Sequence, residues 1–276
     1  MESIVTYFSH IPSLHRTLLL VGGITFFWII ESIIPLFQFG YNKWKHAGTN
    51  IFFTLTTIIV NFPLAVILVK SSDWAVENHF GILNWLPPMP TVLYAIIGLL
   101  LLDLIGAYLV HWTEHKVKWM WQFHIIHHTD THIDTTSANR HHPGESVFRF
   151  VFTTLAAVVA GAPMWLIFMY QSFSVLLSQF NHANISLPKW LDNALSWVII
   201  TPDMHHVHHH YVLPYTDSNF GNIFSVWDRL FGTYQILDRD KLVYGIDTYM
   251  DASENAHIAP LLKIPFQEYR KPVGDN

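Results

Sequence analysis

The chain has 276 residues, of which 51% are hydrophobic and only 13% are charged, and its mean hydropathy is +0.28. Soluble domains usually carry roughly a quarter charged residues, so this composition predicts an integral membrane protein. The formal net charge of −5 argues against nucleic acid as a partner. The chain has no cysteine, which excludes disulfides, thiolate metal sites and iron–sulfur clusters.

Three apolar stretches, at residues 17–37, 51–69 and 92–110, are each about 20 residues long. As helices they are long enough to cross a hydrocarbon core of roughly 30 Å. A fourth stretch, residues 148–180, is interrupted by the sequence GAP at 161–163. Glycine and proline there favour two helices in a hairpin over one kinked span. We therefore expect an all-α integral membrane bundle with about four membrane elements.

The short loop after the first apolar stretch carries Lys43 and Lys45. The positive-inside rule puts this loop in the cytoplasm. The second and third stretches then return the chain to the same side. A hairpin at 148–180 keeps the later histidines there too, so we expect a cytoplasmic cap rich in histidine.

The histidines are concentrated in a few places along the chain. Fourteen of the 19 fall within residues 111–142, at residue 182, or within residues 205–210. In "HWTEH" two histidines are spaced i, i+4, and in "HIIHH" and "HHVHH" three are spaced i, i+3, i+4. Each set shares one helix face. Facing helices that present such sets are how helical bundles build two-metal sites.

A satisfied surface or core role explains the scattered histidines His10, His15, His46, His79 and His257. The same reading fails for the clustered ones, because unliganded buried imidazoles would each cost roughly 1–3 kcal/mol. Eight or more imidazoles are too many for a structural zinc site, which needs four ligands. They fit two adjacent ions, although spacing alone leaves iron, zinc and other imidazole-binding metals open.

The motifs "HWTEH", "HIIHH" and "HHVHH", in this order after apolar spans, resemble the fatty acid hydroxylase/sterol desaturase superfamily of membrane non-haem di-iron oxygenases. "TTSANRHHP", "FNHANISLP", "DSNFG" and "WDRLFGTY" extend the resemblance over residues 103–234. The resemblance implies two iron ions, with zinc as an occupant of purified protein, and O2 as co-substrate. The ligands it implies are His111, His115, His124, His127, His128, His142, His182, His205, His208 and His209. His132, His141, His206 and His210 fall outside the matched positions.

Several polar residues are expected to support this centre. Asp103 lies eight residues before His111 in an apolar stretch, where a carboxylate is costly, and we expect it to accept the free N–H of a ligating histidine. A solvated acid in a protein-lined cavity is the alternative. Glu31 is expected to form an interhelical hydrogen bond, and Asp228 and Asn219 to support the ligands. Arg140 could pair with a carboxylate or flank the membrane.

The predicted function is an O2-dependent oxidoreductase that hydroxylates, or desaturates, a C–H bond of a membrane lipid. "HPGE" at 142–145 resembles a fragment of a cytochrome b5 haem motif, but no second haem histidine accompanies it. Electrons are therefore expected from a separate cytochrome b5-like protein or a ferredoxin and reductase. Two alternatives stay open, a di-zinc lipid hydrolase and a histidine-rich membrane metal transporter.

The chain is expected to be one structural domain with three regions. Residues 1–91 would form N-terminal transmembrane helices, 92–240 the hydroxylase-like catalytic region, and 241–276 a polar tail. Substrate identity, regiochemistry and oligomeric state stay undetermined by the sequence. Residues 92–108 and 148–179 are expected to line a long apolar substrate cavity.

Overall fold

The computed structural model describes residues 2–273, and every regular element in that part of the chain is a helix. Met1 and residues 274–276, the end of the predicted polar tail, lie outside the described residues. Long apolar helices occupy the first two thirds of the chain, and shorter helices follow the histidine motifs. The predicted all-α architecture is therefore confirmed.

The first long helices follow the first two apolar stretches. They are α2 (Ser13–Ile33) and α3 (Lys43–Glu77), preceded by a short α1 (Glu2–Ser9). The Asn42 side chain accepts a hydrogen bond from the backbone N–H of Lys45 and caps α3. At 1.5 Å per residue, α3 is about 52 Å long, well beyond a hydrocarbon core of roughly 30 Å. It therefore continues past the apolar region at its N-terminal end.

The third apolar stretch forms a continuous helix over Thr91–Lys116, after the one-turn α4 (Ile82–Trp85). Its first part is α5 (Thr91–Asp103), its middle six residues (Leu104–Leu109) are wound as a π-helix, and its last part is α6 (Val110–Lys116). π-helical turns inside α-helices are frequent at functional sites.

The fourth stretch forms two helices, α8 (Pro143–Ala160) and α9 (Met164–His182). Gly161 ends α8 in the left-handed conformation with φ of 67°, and Pro163 precedes α9. The turn between them contacts Gly81, which follows the far end of α3. The chain thus leaves the histidine region along α8 and returns along α9, so the hairpin is present and the kinked span is not.

The remaining helices surround the histidines. They are α7 (Lys118–His128), α10 (Lys189–Leu195), α11 (Pro202–His208), α12 (Val226–Leu230), α13 (Ala252–Asn255) and α14 (Ile258–Lys263). A buried apolar cluster joins α7 to the C-terminal segment through Trp121, Ile125, Ile246 and Leu261. This packing holds the C-terminal segment against α7, which carries three of the clustered histidines.

Within residues 2–273, four helical segments are long and apolar enough to cross a membrane, over Ser13–Ile33, Lys43–Trp85, Thr91–Lys116 and Pro143–Ala160. Large apolar side chains such as Leu14, Ile59 and Phe62 are 65–81% exposed on these helices. Exposed apolar surface of this extent suits lipid rather than water. Between the helices, Ala156, Ala157 and Ala160 of α8 are fully buried, and their small side chains allow close packing.

Candidate metal centre

The first five clustered histidines lie on two consecutive helices. His111 and His115 are one turn apart on α6, and His124, His127 and His128 occupy the last turns of α7. Between the helices, Val117 adopts an extended backbone conformation with φ of −98° and ψ of 106°. This single-residue break lets α7 fold back, and the rings of His111 and His124 come within 4.9 Å, centroid to centroid.

The other clustered histidines arrive on α9 and α11. His182 is the last residue of α9, and His205 and His208 lie on α11, with His209 directly after it. The Thr201 side chain accepts a hydrogen bond from Met204 N–H and so caps the start of α11. The α9 and α11 imidazoles meet at His182 and His205, whose ring centroids are 4.2 Å apart.

These nine histidines form two adjacent groups, in each of which one nitrogen per ring lies within 4.8 Å of the others. The five-histidine group contains His111, His115, His124, His128 and His208. The four-histidine group contains His127, His182, His205 and His209. The groups touch where the rings of His128 and His209 stack, with centroids 4.9 Å apart.

The nitrogen positions match the spacing of ligands around a metal ion. Nε2 of His124 lies 3.1 Å from Nε2 of His111 and 3.2 Å from Nε2 of His128. Nε2 of His182 lies 3.1 Å from that of His127 and 3.0 Å from that of His205. With metal–nitrogen bonds of about 2.1 Å, neighbouring ligands are about 3.0 Å apart at right angles and about 3.4 Å apart in a tetrahedron. The residues present therefore fit an ion in each group.

Several ring nitrogens in the groups are buried without a hydrogen-bond partner in the described chain. They include Nε2 of His115 and of His208, and Nδ1 of His127, His128, His205 and His209. Each such atom would cost roughly 1–3 kcal/mol if it stayed unpaired. A metal ion in the five-histidine group would satisfy Nε2 of His115 and of His208, which supports the fit, whereas the four Nδ1 atoms belong to rings whose Nε2 faces the neighbouring imidazoles.

Other ring nitrogens are held by acceptors outside the groups. Nδ1 of His111 donates to the carbonyl oxygen of Phe220 at 2.8 Å, and Nδ1 of His208 donates to that of Ser218 at 2.6 Å. A donated Nδ1–H fixes the tautomer in which Nε2 carries a free lone pair. The loop after α11 thus orients two rings of the five-histidine group for coordination.

Burial keeps the imidazoles neutral, which is the form that binds metal. It lowers the pKa of His124 to about 4, even though the adjacent Glu145 carboxylate acts to raise it. Burial and the neighbouring imidazoles hold the pKa values of His205 and His209 well below the ordinary value.

A network of charged residues supports the five-histidine group, and sequence reasoning missed it. Glu145 of α8 is fully buried, and its Oε1 accepts hydrogen bonds from Nδ1 of His124 and from Nε of Arg149, both at 2.8 Å. Nδ1 of His141 lies 2.8 Å from the same oxygen. Arg149 also pairs with Glu114 at 2.7 Å. An ionisable residue inside an apolar stretch, Arg149 in residues 148–180, is the signal that could have revealed it.

His142 was predicted to be a metal ligand, but the structure does not bring it into either histidine group. It caps the start of α8, where its Nδ1 accepts a hydrogen bond from Gly144 N–H at 2.9 Å. Its ring packs on Phe123 and Phe266. The neighbouring His141 faces the cluster instead, and its ring stacks on His127 with centroids 4.6 Å apart. The sequence could not separate two adjacent histidines in an irregular segment.

The expected role of Asp103 is also wrong. Its carboxylate accepts hydrogen bonds from the backbone N–H of Ile223 and Phe224 and from the Trp227 indole, not from a histidine. The π-helix between Asp103 and His111 breaks the α-helical spacing on which the prediction relied. Asp103 instead holds the loop that precedes α12, and Glu145 occupies the place predicted for it.

The other predicted polar residues have structural partners. Glu31 accepts from the backbone N–H of Thr135 and Asn184, which ties α2 to the segments around the histidines, as expected. Asp228 accepts a hydrogen bond from Phe220 N–H, and the carbonyl oxygen of Phe220 accepts one from His111. Asp228 therefore supports His111 indirectly, through the Phe220 backbone. Arg140 is buried and pairs with the Asp130 carboxylate at 3.9 Å, one of its two expected roles, and it also donates to four oxygens of its neighbours.

The remaining polar and excluded residues lie away from the coordinating nitrogens. Asn219 donates from its side chain to the carbonyl oxygens of Met204 and Gln235 rather than to a histidine. His132, His206 and His210 belong to neither group.

A cavity of about 180 Å³ opens against both histidine groups. The π-helix contributes Gly106 and Ala107 to its wall, and α8 and α9 contribute Arg149, Tyr170 and Ser174. These are elements from which a substrate cavity was predicted. Its lining mixes polar side chains with apolar surface, and it is smaller than the roughly 300–1,000 Å³ typical of ligand pockets. A long apolar cavity therefore stays a prediction.

The chain is similar in sequence to several known proteins. The ornithine lipid hydroxylase OlsE of Rhizobium tropici is 25% identical over 63% of this chain and 50% of its own length. The alkylglycerol monooxygenase of Xenopus tropicalis is 29% identical over 51% of this chain and 30% of its own length. The chain thus spans half or less of these two relatives.

A cholesterol 25-hydroxylase-like protein of Danio rerio is 28% identical over 62% of this chain and 68% of its own length. No solved structure matches. The sequence profile of the fatty acid hydroxylase family matches residues 95–233, the stretch that supplies both histidine groups, the π-helix and the α8–α9 hairpin. This chain belongs to the fatty acid hydroxylase family.

Proposed function

We propose that this protein is a membrane-bound oxidoreductase that uses O2 and an external electron donor to hydroxylate a C–H bond of a lipid. The observation that carries the proposal is the pair of adjacent histidine groups, which is the donor set of a two-metal centre. In the overall reaction one oxygen atom of O2 enters the C–H bond. The other is reduced to water by two electrons and two protons from the donor.

The two ions would be held by the nine grouped histidines. Iron is the metal we propose, because imidazole suits it and because relatives named hydroxylases and monooxygenases carry out oxidations. When bound, the irons would supply the redox chemistry that activates O2. Zinc in purified protein would be a substitute without this chemistry.

The chain's own residues would orient the ligands and shape the cavity. Glu145 receives the Nδ1–H of His124, and Arg149 holds Glu145 and Glu114 in place. The cavity wall carries Arg149, Tyr170 and Asn222, whose polar atoms can bind the part of the lipid that reaches the centre. Enclosure between helices limits access of bulk water to the reacting carbon.

The substrate is proposed to be a lipid, because the cavity is formed by a chain with four helices apolar and long enough to cross a membrane. The names of the relatives refer to an ornithine lipid, alkylglycerols and cholesterol. Because these relatives are named hydroxylases and monooxygenases, we favour hydroxylation over desaturation. Residues 92–240 would form the catalytic region, with the centre on the cytoplasmic side next to Lys43 and Lys45.

The two alternative functions have less support. A transporter needs ionisable groups along a path through the membrane, whereas Glu31 and Asp103 are occupied by hydrogen bonds to neighbouring backbone. A di-zinc hydrolase would share the histidines but would need no reductant. Turnover without oxygen would identify it.

The test is comparative lipidomics under ¹⁸O2 in cells that make the wild-type chain or the His208→Ala variant. We expect a lipid heavier by one labelled oxygen in the wild type alone, and two irons per purified chain. A hydrolysis product formed without oxygen, or wild-type lipids identical to those of the variant together with iron-free protein, would contradict the proposal.

A further inference from the structure

A depression of about 440 Å³ lies on the outside of the five-histidine group, away from the cavity just described. Its lining includes His115 and Trp121 together with Lys116, Lys118 and Lys271. We call it the lysine depression. It brings the exterior of the protein close to the proposed centre at a place that the substrate cavity does not use.

The lysine depression is positively charged in a chain whose formal net charge is −5. Its lining carries three lysines and one carboxylate, Asp217, which pairs with Lys116. Lys118 is exposed, and its Nζ lies 4.1 Å from the ring centroid of Tyr269. Lys271 is exposed as well. A concave surface with excess positive charge attracts negatively charged partners and raises their association rate.

An aromatic ring connects this depression to the five-histidine group. Trp121 is 5% exposed, and it lines the depression beside His115. Its centroid is 4.7 Å from that of His115 and 5.2 Å from that of His128. Because electron tunnelling weakens steeply with distance, a redox group docked here has a short route through ring contacts.

We propose that the lysine depression is the docking site of an acidic one-electron carrier protein, which reduces the centre by way of Trp121, His115 and His128. This inference rests on the proposed function, since hydroxylation consumes two electrons for each O2. The carrier is oxidised by one electron in each encounter, so two encounters supply one turnover.

Binding is the first test, because it does not depend on turnover. The full chain in lipid nanodiscs is titrated with an acidic [2Fe–2S] ferredoxin and, separately, with the soluble domain of a cytochrome b5. Lys118→Glu/Lys271→Glu should weaken binding of the preferred carrier about tenfold at low salt and flatten its salt dependence. Lys45→Glu/Lys189→Glu changes the net charge equally at exposed sites outside the depression and should bind like wild type.

Electron entry is the second test. At saturating carrier, stopped-flow reduction of the iron-loaded protein should be several-fold slower in Trp121→Leu and close to wild type in Trp121→Phe, which keeps an aromatic ring. Metal content and unfolding temperature of both variants identify any loss of the fold. Equal rates in the folded leucine variant would overturn the route through Trp121.

The outcomes separate this inference from the proposed function. If a chemical reductant drives wild-type lipid hydroxylation and the lysine variants bind carriers normally, the docking site is wrong and the function stands. If carriers bind at the depression but no lipid is oxidised with any reductant, the function is wrong. Binding of neither carrier, or an effect of the variants on anionic vesicles alone, would also overturn the docking site.

Discussion

At the scale of single residues, Glu145 is the buried carboxylate that orients His124 in the five-histidine group. One buried oxygen receives hydrogen bonds from a ring nitrogen of His124 and from Arg149, and lies close to His141. A charged acceptor of this kind fixes ring orientation and raises ligand basicity. Glu145 is thus a positioning residue for the proposed metal.

Glu145→Gln keeps the size of the side chain and removes its charge. We expect iron affinity to fall about 10–100-fold, as for other residues that orient metal ligands, while helix content is retained. Competition with a chelator measures the affinity, and Glu268→Gln, at an exposed position, is the matched control. Unchanged affinity would show that the network does not act on the metal.

The adjacent histidines 141 and 142 should respond differently to alanine. His141→Ala removes a ring that stacks on His127 and lies beside Glu145, so we expect metal loss. His142→Ala removes a helix cap, so we expect normal metal content and about 1 kcal/mol lower stability. Metal analysis and thermal unfolding of the two variants are the measurements. Metal loss in His142→Ala together with normal metal content in His141→Ala would contradict the expectation.

The pH dependence of stability should contain a contribution from Asp134. Burial acts to raise the pKa of this carboxyl, but the hydrogen bond and charge of His46 and the Thr136 hydroxyl lower it below its ordinary value overall. A depressed carboxyl pKa stabilises the fold above the unfolded value of about 3.9, and this stabilisation is lost as pH falls. The unfolding temperatures of wild type and Asp134→Asn should therefore differ most above pH 5 and converge below pH 4. A difference in unfolding temperature that does not change with pH would exclude a contribution from the Asp134 charge.

At the scale of elements, the α8–α9 hairpin and the π-helix determine the shape of the site. Because α8 and α9 are antiparallel, the hairpin places His182, at the end of α9, at the same end of the bundle as His141, which precedes α8. The π-helix turns the third span so that Gly106 and Ala107 line the cavity. The hairpin depends on a tight turn, which Gly161 occupies, and the π-helix depends on close helix contacts, which Gly106 and Ala107 allow.

The hairpin turn should be intolerant of a side chain at Gly161. Its φ of 67° costs an L-residue about 1 kcal/mol, and a Cβ there would clash with Asn84 and the Phe80 backbone. Gly232 has a similar φ of 71° but nothing within 4 Å of its Cβ position. Gly161→Ala should therefore lower the unfolding temperature clearly more than Gly232→Ala. Equal losses would show that the close contact is unimportant.

At the scale of the whole molecule, the histidines lie at one end of the bundle and the hairpin turn at the other. Lys189 follows α9 at the histidine end, and Glu77 ends α3 at the opposite end. Both residues are exposed. The chain has no cysteine, so single cysteines can report the side of the membrane without a background.

We expect Glu77→Cys to react with an impermeant maleimide in intact cells. Lys189→Cys should react only after permeabilisation, because the proposed centre faces the cytoplasm. The cysteine-free wild type is the control for unspecific labelling. The opposite pattern would place the histidines outside and would remove a cytoplasmic carrier as the electron donor.

The sequence by itself determined the features that have short-range or compositional causes. The length of the apolar stretches identified the membrane helices, and Gly161 with Pro163 identified the hairpin. Helical periodicity selected eight of the nine histidines that the structure brings together, and the family resemblance implied the ninth, His182. These inferences succeed because hydrophobic burial and the helical repeat act along neighbouring residues.

Only the tertiary structure decided how the histidines divide between the two groups. In each i, i+3, i+4 set, the i, i+4 pair enters one group and the middle residue enters the other, as His127 and His208 show. In the structure, His141 rather than His142 faces the clustered histidines. Glu145 rather than Asp103 accepts the hydrogen bond from a histidine. These outcomes depend on a single-residue break at Val117, on a π-helix and on contacts between segments far apart in the chain. No local pattern records such contacts, because their free energy arises only when distant helices pack together.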